Sequence, residues 1–260
     1  MSSDYRGRFL WHELLTTDPK GAQSFYRAVT GWSTQAFDES PTPYMMWTNN
    51  GVPLGGVLDL PQHLRDRKVP PNWLTYIGTP DVDRTLAQAE KLGGVPMVPA
   101  RDIPTVGRFA VLGDPQGAVF AIYTPAREGS GSDAPPQPGN IVWNELVTTD
   151  HGKAFEFYSA LFGWVKTTGV DMGGMGLYQM FGRPGGIPLG GMFNKTKEMP
   201  MPPNWLPYVG VGDLDATVET VRKQGGKVLH GPADVPGGRI VQGMDPQGAM
   251  FALHQATAQT

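Results

Sequence analysis

Two glutamates stand in nearly the same octapeptide: WHELLTTD at 11–18 and WNELVTTD at 143–150. Each run reads as a strand, where side chains alternate, so Glu13 shares a face with Trp11 and Glu145 with Trp143. On an enclosed, partly apolar face, desolvation raises a carboxylate's pKa, which suits a general base or acid. The same carboxylates could instead accept hydrogen bonds from Trp, Tyr or backbone groups and organise the fold. Arg108 and Arg239 follow glycines in DIPTVGR and DVPGGR. Either could clamp an anionic substrate, or pair with Asp102 or Asp234 of its own segment. There are no cysteines, so thiol nucleophiles, disulfides and thiolate metal sites are excluded.

The elements that must position these residues come as a duplication. Residues 11–32 match 143–164 at 12 of 22 positions, and 70–94 match 202–226 at 13 of 25, at one constant offset. One residue is then lost, and GRFAVLGDPQGAVFAI (107–122) aligns with GRIVQGMDPQGAMFAL (238–253). A period this long indicates duplicated domains rather than a solenoid. The expected division is a first module over 1–126, a Gly/Ser/Pro-rich linker over 127–140 and a second module over 141–260. Within a copy, FLWHELLT reads as a strand. Asp18 then caps a helix that carries Ala22, Phe25, Tyr26 and Val29 on one face and closes at Gly31. YMMWTNN and VPLGGVLDL read as strands joined by a turn at Asn49, Asn50 and Gly51. LTYIGT follows as a strand, then a helix capped by Asp81 or Asp83, then strands near MVPA, RFAVLG and AVFAIY, with DPQG as the last turn. The fold class is therefore α+β, each module a pair of βαβββ units. PPNW at 70–73 and 202–205 starts a strand, with Trp73 and Trp205 facing the helices. His12 lies on the strand face opposite Trp11.

Forty per cent hydrophobic and 17% charged residues are ordinary for a globular chain, and a net charge of −3 leaves no basic surplus for a phosphate backbone. Nucleic acid is not an expected partner. The N-terminal MSSDYRGRFLWHEL has no apolar stretch of the signal-peptide kind, and no run of 18 apolar residues occurs, so no membrane association and a cytoplasmic location are expected.

The order of these segments, found twice, resembles the vicinal oxygen chelate superfamily, which includes glyoxalases, bleomycin-resistance proteins and extradiol dioxygenases. WHELLTTD…SFYRAVTGW resembles its first strand and FY-containing helix, TYIGTPDVD its midpoint strand and DPQGAVFAI its closing turn and strand. The resemblance implies a curved mixed sheet around a cavity, with helices outside. It also implies His and Glu ligands for a divalent metal that polarises vicinal oxygens. By that resemblance the first-strand ligand position falls on Trp11 and Trp143. The midpoint position falls on Leu74 and Leu206, and the closing-strand position on Ala121 and Ala252. The fourth strand offers Leu54, Gly55 and Gly56, or Leu189, Gly190 and Gly191. Trp, Leu and Ala provide no donor for such an ion, so no metal and no other cofactor are expected.

Positions two residues along from these face the same cavity: Tyr76, Tyr208, Tyr123 and His254, besides the two glutamates. His254 could shuttle a proton beside Tyr208, or be a partly exposed, idle side chain. Trp11 and Trp143 would floor the cavities and suit a flat organic ligand. The glycine pairs lack the strand, GxGxxG and helix setting of a dinucleotide site and mark a close approach of backbone or ligand. Two functions remain open. One is metal-independent acid–base chemistry of isomerase, lyase or hydroxylase type on a small molecule. The other is sequestration of a small compound, as in bleomycin-resistance proteins. A monomer or homodimer is expected.

Overall fold

The structure, a computed structural model, describes residues 5–38, 44–127 and 137–257. The first repeat holds β1 (Phe9–Thr16), α1 (Pro19–Thr30), β2 (Ser33–Ala36), β3 (Met45–Asn49), β4 (Val52–Asp59) and the short α2 (Gln62–Asp66). It continues with β5 (Asn72–Gly78), α3 (Val82–Lys91), β6 (Val95–Ile103), β7 (Gly107–Gly113) and β8 (Val119–Pro125). The second holds β9 (Ile141–Thr148), α4 (His151–Phe162), β10 (Val165–Asp171), β11 (Leu177–Gly182) and β12 (Pro188–Asn194). After these come β13 (Asn204–Gly210), α5 (Leu214–Lys223), β14 (Lys227–Val235), β15 (Gly238–Met244) and β16 (Met250–Ala256). The strand orders are β2-β3-β4-β1-β5-β8-β7-β6 and β10-β11-β12-β9-β13-β16-β15-β14, one mixed eight-stranded sheet per repeat. The α+β expectation of tandem modules, each a pair of βαβββ units, therefore holds. The expected linker lies largely in 128–136, outside the described residues.

Local chemistry explains the element ends. The Asp18 side chain accepts from the Gly21 N–H, Pro19 occupies the first helical turn, and Gly31 closes α1 in the left-handed region at φ 76°. Of the two aspartates offered for α3, Asp81 is the cap, accepting from the Arg84 N–H. Asn50 and Gly51 both have positive φ, 49° and 79°, which a two-residue turn with the twist of the β3–β4 hairpin requires.

The compact units are not the repeats themselves. One combines Met1–Trp11 and Leu74–Ala134 with Trp143–Trp205; the other combines His12–Trp73 and Pro135–Val142 with Leu206–Thr260. Each core is thus built from half of each repeat around one buried tyrosine. In the second unit Tyr26 of α1 packs against Phe25, Trp32, Trp47, Trp73 and Phe251. In the first, Tyr158 of α4 packs against Phe120, Phe157, Trp164 and Trp205. Edge-to-face and stacked rings at such distances add to the burial of their apolar area.

A buried phenol needs a partner, and the closing turn of the other repeat supplies it. Tyr26 Oη donates to Asp245 Oδ2 at 3.2 Å while Trp73 Nε1 lies 3.3 Å from the same phenol oxygen. Asp245 Oδ1 accepts from the N–H groups of Gln247, Gly248 and Ala249. The mirrored set is Tyr158 to Asp114 at 3.0 Å and Trp205 to Tyr158 at 2.9 Å, with Asp114 holding the Gln116 and Ala118 N–H groups. Burial raises the pKa of Asp114 and Asp245 despite these donors, and lifts Tyr26 and Tyr158 well above the ordinary phenol value. The FY, PPNW and DPQG motifs of the sequence are thus three parts of one crosswise lock.

Candidate functional site

The two glutamates are buried, Glu13 with 8% and Glu145 with 5% of its surface exposed. The parallel β1–β4 register sets Glu13 opposite Gly56, and the antiparallel β3–β4 register sets Met46 opposite the same Gly56. Tyr44, two residues before Met46, therefore lies on Glu13's side, and its Oη donates to Glu13 Oε1 at 2.6 Å. The second repeat builds this again. Glu145 stands opposite Gly191, Met180 opposite Gly191, and Tyr178 Oη donates to Glu145 Oε2 at 3.1 Å. Trp143 Nε1 donates to the Tyr178 oxygen at 2.7 Å, which makes a relay from indole to phenol to carboxylate.

The glycine pairs make this crossing possible. A Cβ on Gly56 or Gly191 would collide first with the phenol ring of Tyr44 or Tyr178. A Cβ on Gly55 or Gly190 would meet instead the carbonyl oxygen of His12 or Asn144, with Trp47 or Phe181 beside it. One glycine of each pair clears the tyrosine and the other clears neighbouring backbone and a core ring. His12 and Asn144 are buried. Burial, and then the negative Glu145, hold Tyr178 protonated well above the ordinary phenol pKa, so it acts as a donor to the carboxylate at neutral pH.

The remaining candidates divide between the repeats. In the first, Trp11 and Tyr123 pack against an apolar cluster of Leu74, Tyr76, Phe109, Val111 and Ala121. Tyr76 contacts Phe109 at 6.0 Å and Tyr123 at 6.4 Å between centroids, and Tyr123 Oη donates to the Val106 carbonyl at 2.8 Å. Burial raises the Tyr123 pKa to about 12. In the second repeat Tyr208 is buried and its Oη accepts from Gln242 Nε2 at 2.7 Å. His254 is partly buried, which lowers its pKa. Arg108 is bidentate on Asp83 of α3 (2.8 and 2.9 Å) and reaches both Asp102 oxygens at 3.1 Å. Arg239 is bidentate on Asp215 of α5, with Asp234 at 3.9 Å. Both arginines tie a strand to the first turn of a helix.

The implied metal does not fit these residues. Its first, midpoint and closing positions in the first repeat are Trp11, Leu74 and Ala121, which pack with one another in the apolar cluster, and Leu206 and Ala252 are likewise buried and apolar. Among the described residues no group of three or more His, Asp or Glu is placed to hold a metal ion.

Tyr44, Tyr178 and Gln242 are members of these arrangements that sequence reasoning missed. Tyr44 and Tyr178 each stand two residues before the strand residue that faces the second glycine of a pair, a relation that only the strand register reveals.

Residues 140–253 match the family described as the Glyoxalase/Bleomycin resistance protein/Dioxygenase superfamily, and residues 12–123 match the Glyoxalase-like domain. The chain is 35% identical to the "Putative glyoxylase CFP32" of Mycobacterium tuberculosis, covering 96% of each protein. It is 31% identical to the "Anthracycline biosynthesis protein DnrV" of Streptomyces peucetius, over 94% of this chain and 91% of that one. Among solved structures, the 2,3-dioxygenase LapB of Pseudomonas sp. KL28 superposes with a TM-score of 0.65 at 12% identity, covering 98% of this chain and 95% of that one. The Mn(II)-bound glyoxalase of Novosphingobium aromaticivorans gives 0.64 at 14% identity, covering 98% and 83%. At such identities these two structures speak for the fold alone.

Proposed function

Because this chain belongs to the glyoxalase/bleomycin resistance protein/dioxygenase superfamily, we propose that it takes a small, flat, oxygenated organic molecule and performs acid–base chemistry on it without the usual divalent metal. The observation that carries this reading is the tyrosine–glutamate pair, built twice over a glycine that has no other evident purpose. In this reading Glu13 or Glu145 is the base that accepts a proton from a carbon or oxygen acid of the ligand. The neighbouring tyrosine is a positioning residue. Its hydrogen bond fixes the carboxylate rotamer and stabilises the charged form, which the buried setting alone would disfavour. Proton removal and return at adjacent atoms is isomerase-type chemistry, and proton removal with departure of a group from the neighbouring carbon is lyase-type. The Streptomyces relatives are named for anthracycline biosynthesis, and a polycyclic, oxygenated ligand agrees with that name and with the aromatic lining of Trp11 and Tyr76.

A second reading, capture without turnover, is favoured by the apolar aromatic face of the first repeat. The two are separated by incubating the protein with an anthracyclinone bearing an enolisable ketone in deuterated water. Binding is followed by tryptophan quenching and exchange by mass spectrometry. The catalytic reading expects exchange that is lost in Glu13→Gln and Glu145→Gln at unchanged melting temperature. Binding without exchange leaves capture, and neither binding nor exchange defeats both.

A further inference from the structure

The repeats share a framework, but the faces of β5-β8-β7 and β13-β16-β15 have different chemistry. In the first repeat one row across the strands is Tyr76, Ala121 and Val111, and the next is Gly78, Tyr123 and Phe109. In the second the same rows read Tyr208, Ala252 and Gln242, then Gly210, His254 and Ile240. Valine has become glutamine, and a tyrosine tied to a backbone carbonyl has become a histidine.

We propose that Tyr208, Gln242 and His254 form a hydrogen-bonding subsite, present in the second repeat and absent from the first, that recognises hydroxyl or carbonyl groups on a planar ligand. This rests on the reading above that the protein takes such a molecule. Three observations support the assignment. Gln242 Nε2 is held 2.7 Å from Tyr208 Oη, so amide and phenol are fixed as one polar unit beside the small Ala252. No hydrogen bond holds either ring nitrogen of His254 among the described residues, and the ring is only partly buried, so both nitrogens are open to solvent or a ligand. Gly210 is its strand neighbour on one side, and Gly238, where a Cβ would meet the Gln255 carbonyl oxygen first and His254 Nε2 next, lies close against the ring. Burial favours the neutral imidazole, which presents one donor and one acceptor and so can read a hydroxyl or a carbonyl. The first repeat spends the same positions on ring-to-ring contacts, which suits the apolar body of a ligand rather than its substituents.

The test compares quinizarin, a dihydroxyanthraquinone, with unsubstituted anthraquinone, each titrated into the full chain with tryptophan quenching as readout. Gln242→Val installs the first repeat's residue, and His254→Phe removes both nitrogens while keeping a ring. Each is expected to weaken quinizarin binding about tenfold, the scale of one hydrogen bond left unmade, and to leave anthraquinone unchanged. His254→Gln retains a donor and an acceptor and should stay within about threefold of the parent. Equal losses for both probes, no loss for either, or a glutamine variant as weak as the phenylalanine one would overturn the assignment. If the unaltered protein binds both probes equally, the subsite fails while the planar-ligand reading stands. If it binds neither, both fall.

Discussion

Replacing Gly191 by alanine isolates the device that brings tyrosine to glutamate. The new Cβ would fall within van der Waals contact of Tyr178 Cε1 and Cζ and 2.5 Å from its Oη. Restoring an ordinary separation of about 3.5 Å moves the ring by roughly 1 Å or more. Such a shift breaks the 2.7 Å bond from Trp143 and the 3.1 Å bond to Glu145. A neutral hydrogen bond is worth about 1 kcal/mol and one to a carboxylate about 1.5–3 kcal/mol. Against this, Gly→Ala in an extended segment returns about 0.5–1 kcal/mol through the unfolded state. The net expected loss is about 2–3 kcal/mol in urea denaturation. The decisive measurement is the same substitution in a Tyr178→Leu background, because leucine lacks the Cε1, Cζ and Oη atoms that the new methyl meets. There the cost should shrink to about zero, giving a coupling of about 2 kcal/mol or more. Gly190→Ala is the contrast: its Cβ meets the Asn144 carbonyl oxygen, so no change at Tyr178 relieves it. A Gly191→Ala cost that is the same in both backgrounds would refute the claim that this glycine exists to admit the ring.

Two further outcomes follow from the crosswise lock and the buried phenols. Asp245→Ala leaves two turn N–H groups and the Tyr26 hydroxyl without their acceptor and should cost about 3 kcal/mol, whereas Asp245→Asn, which keeps an acceptor, should cost less than half of that. Equal costs in thermal unfolding would remove the aspartate from the lock. Since burial raises the pKa of Asp114 and Asp245, the native state keeps those protons longer than the unfolded chain, and their contribution to stability declines as pH rises through the folded value. Tyr26, Tyr158 and Tyr178 ionise well above the ordinary phenol range and Tyr123 at about 12. Ultraviolet titration near pH 11 should therefore find at least four of the eight tyrosines still protonated, with stability falling as pH climbs past about 10. Full ionisation before unfolding would contradict their burial.

The parts of the fold that depend on neighbours in sequence were legible. Asp18, Gly31 and the Asn50–Gly51 turn act within a few residues of themselves. The βαβββ pattern called for a third strand after α1, but β2 was not located, because its four residues Ser33–Ala36 have no apolar period, and α2 is one turn without a side-chain cap. Tyr44 was missed for a different reason. It precedes its strand, and its role depends on a glycine that faces it across a register no local pattern fixes. The pairing of half-repeats was also hidden. The halves are alike enough that a tyrosine could meet the closing turn of either copy, and only the three-dimensional structure selects the other one.

That crosswise pairing has a consequence for the order in which the chain is made. Tyr26 is made long before its acceptor, residue 245, so the core around α1 cannot close until that residue has left the ribosome. The other core waits for Tyr158 and Trp205 to meet Asp114, which is complete only once residue 205 is available. During that interval the aromatic faces of the first repeat stand without their partners, where they can associate with other nascent chains. Residues 1–126 expressed alone would carry Tyr26 and the Asp114 turn, each without the partner that the other repeat supplies in the fused chain. Such a half-protein should form an exchanged homodimer, with two chains doing what the fused repeats do in one.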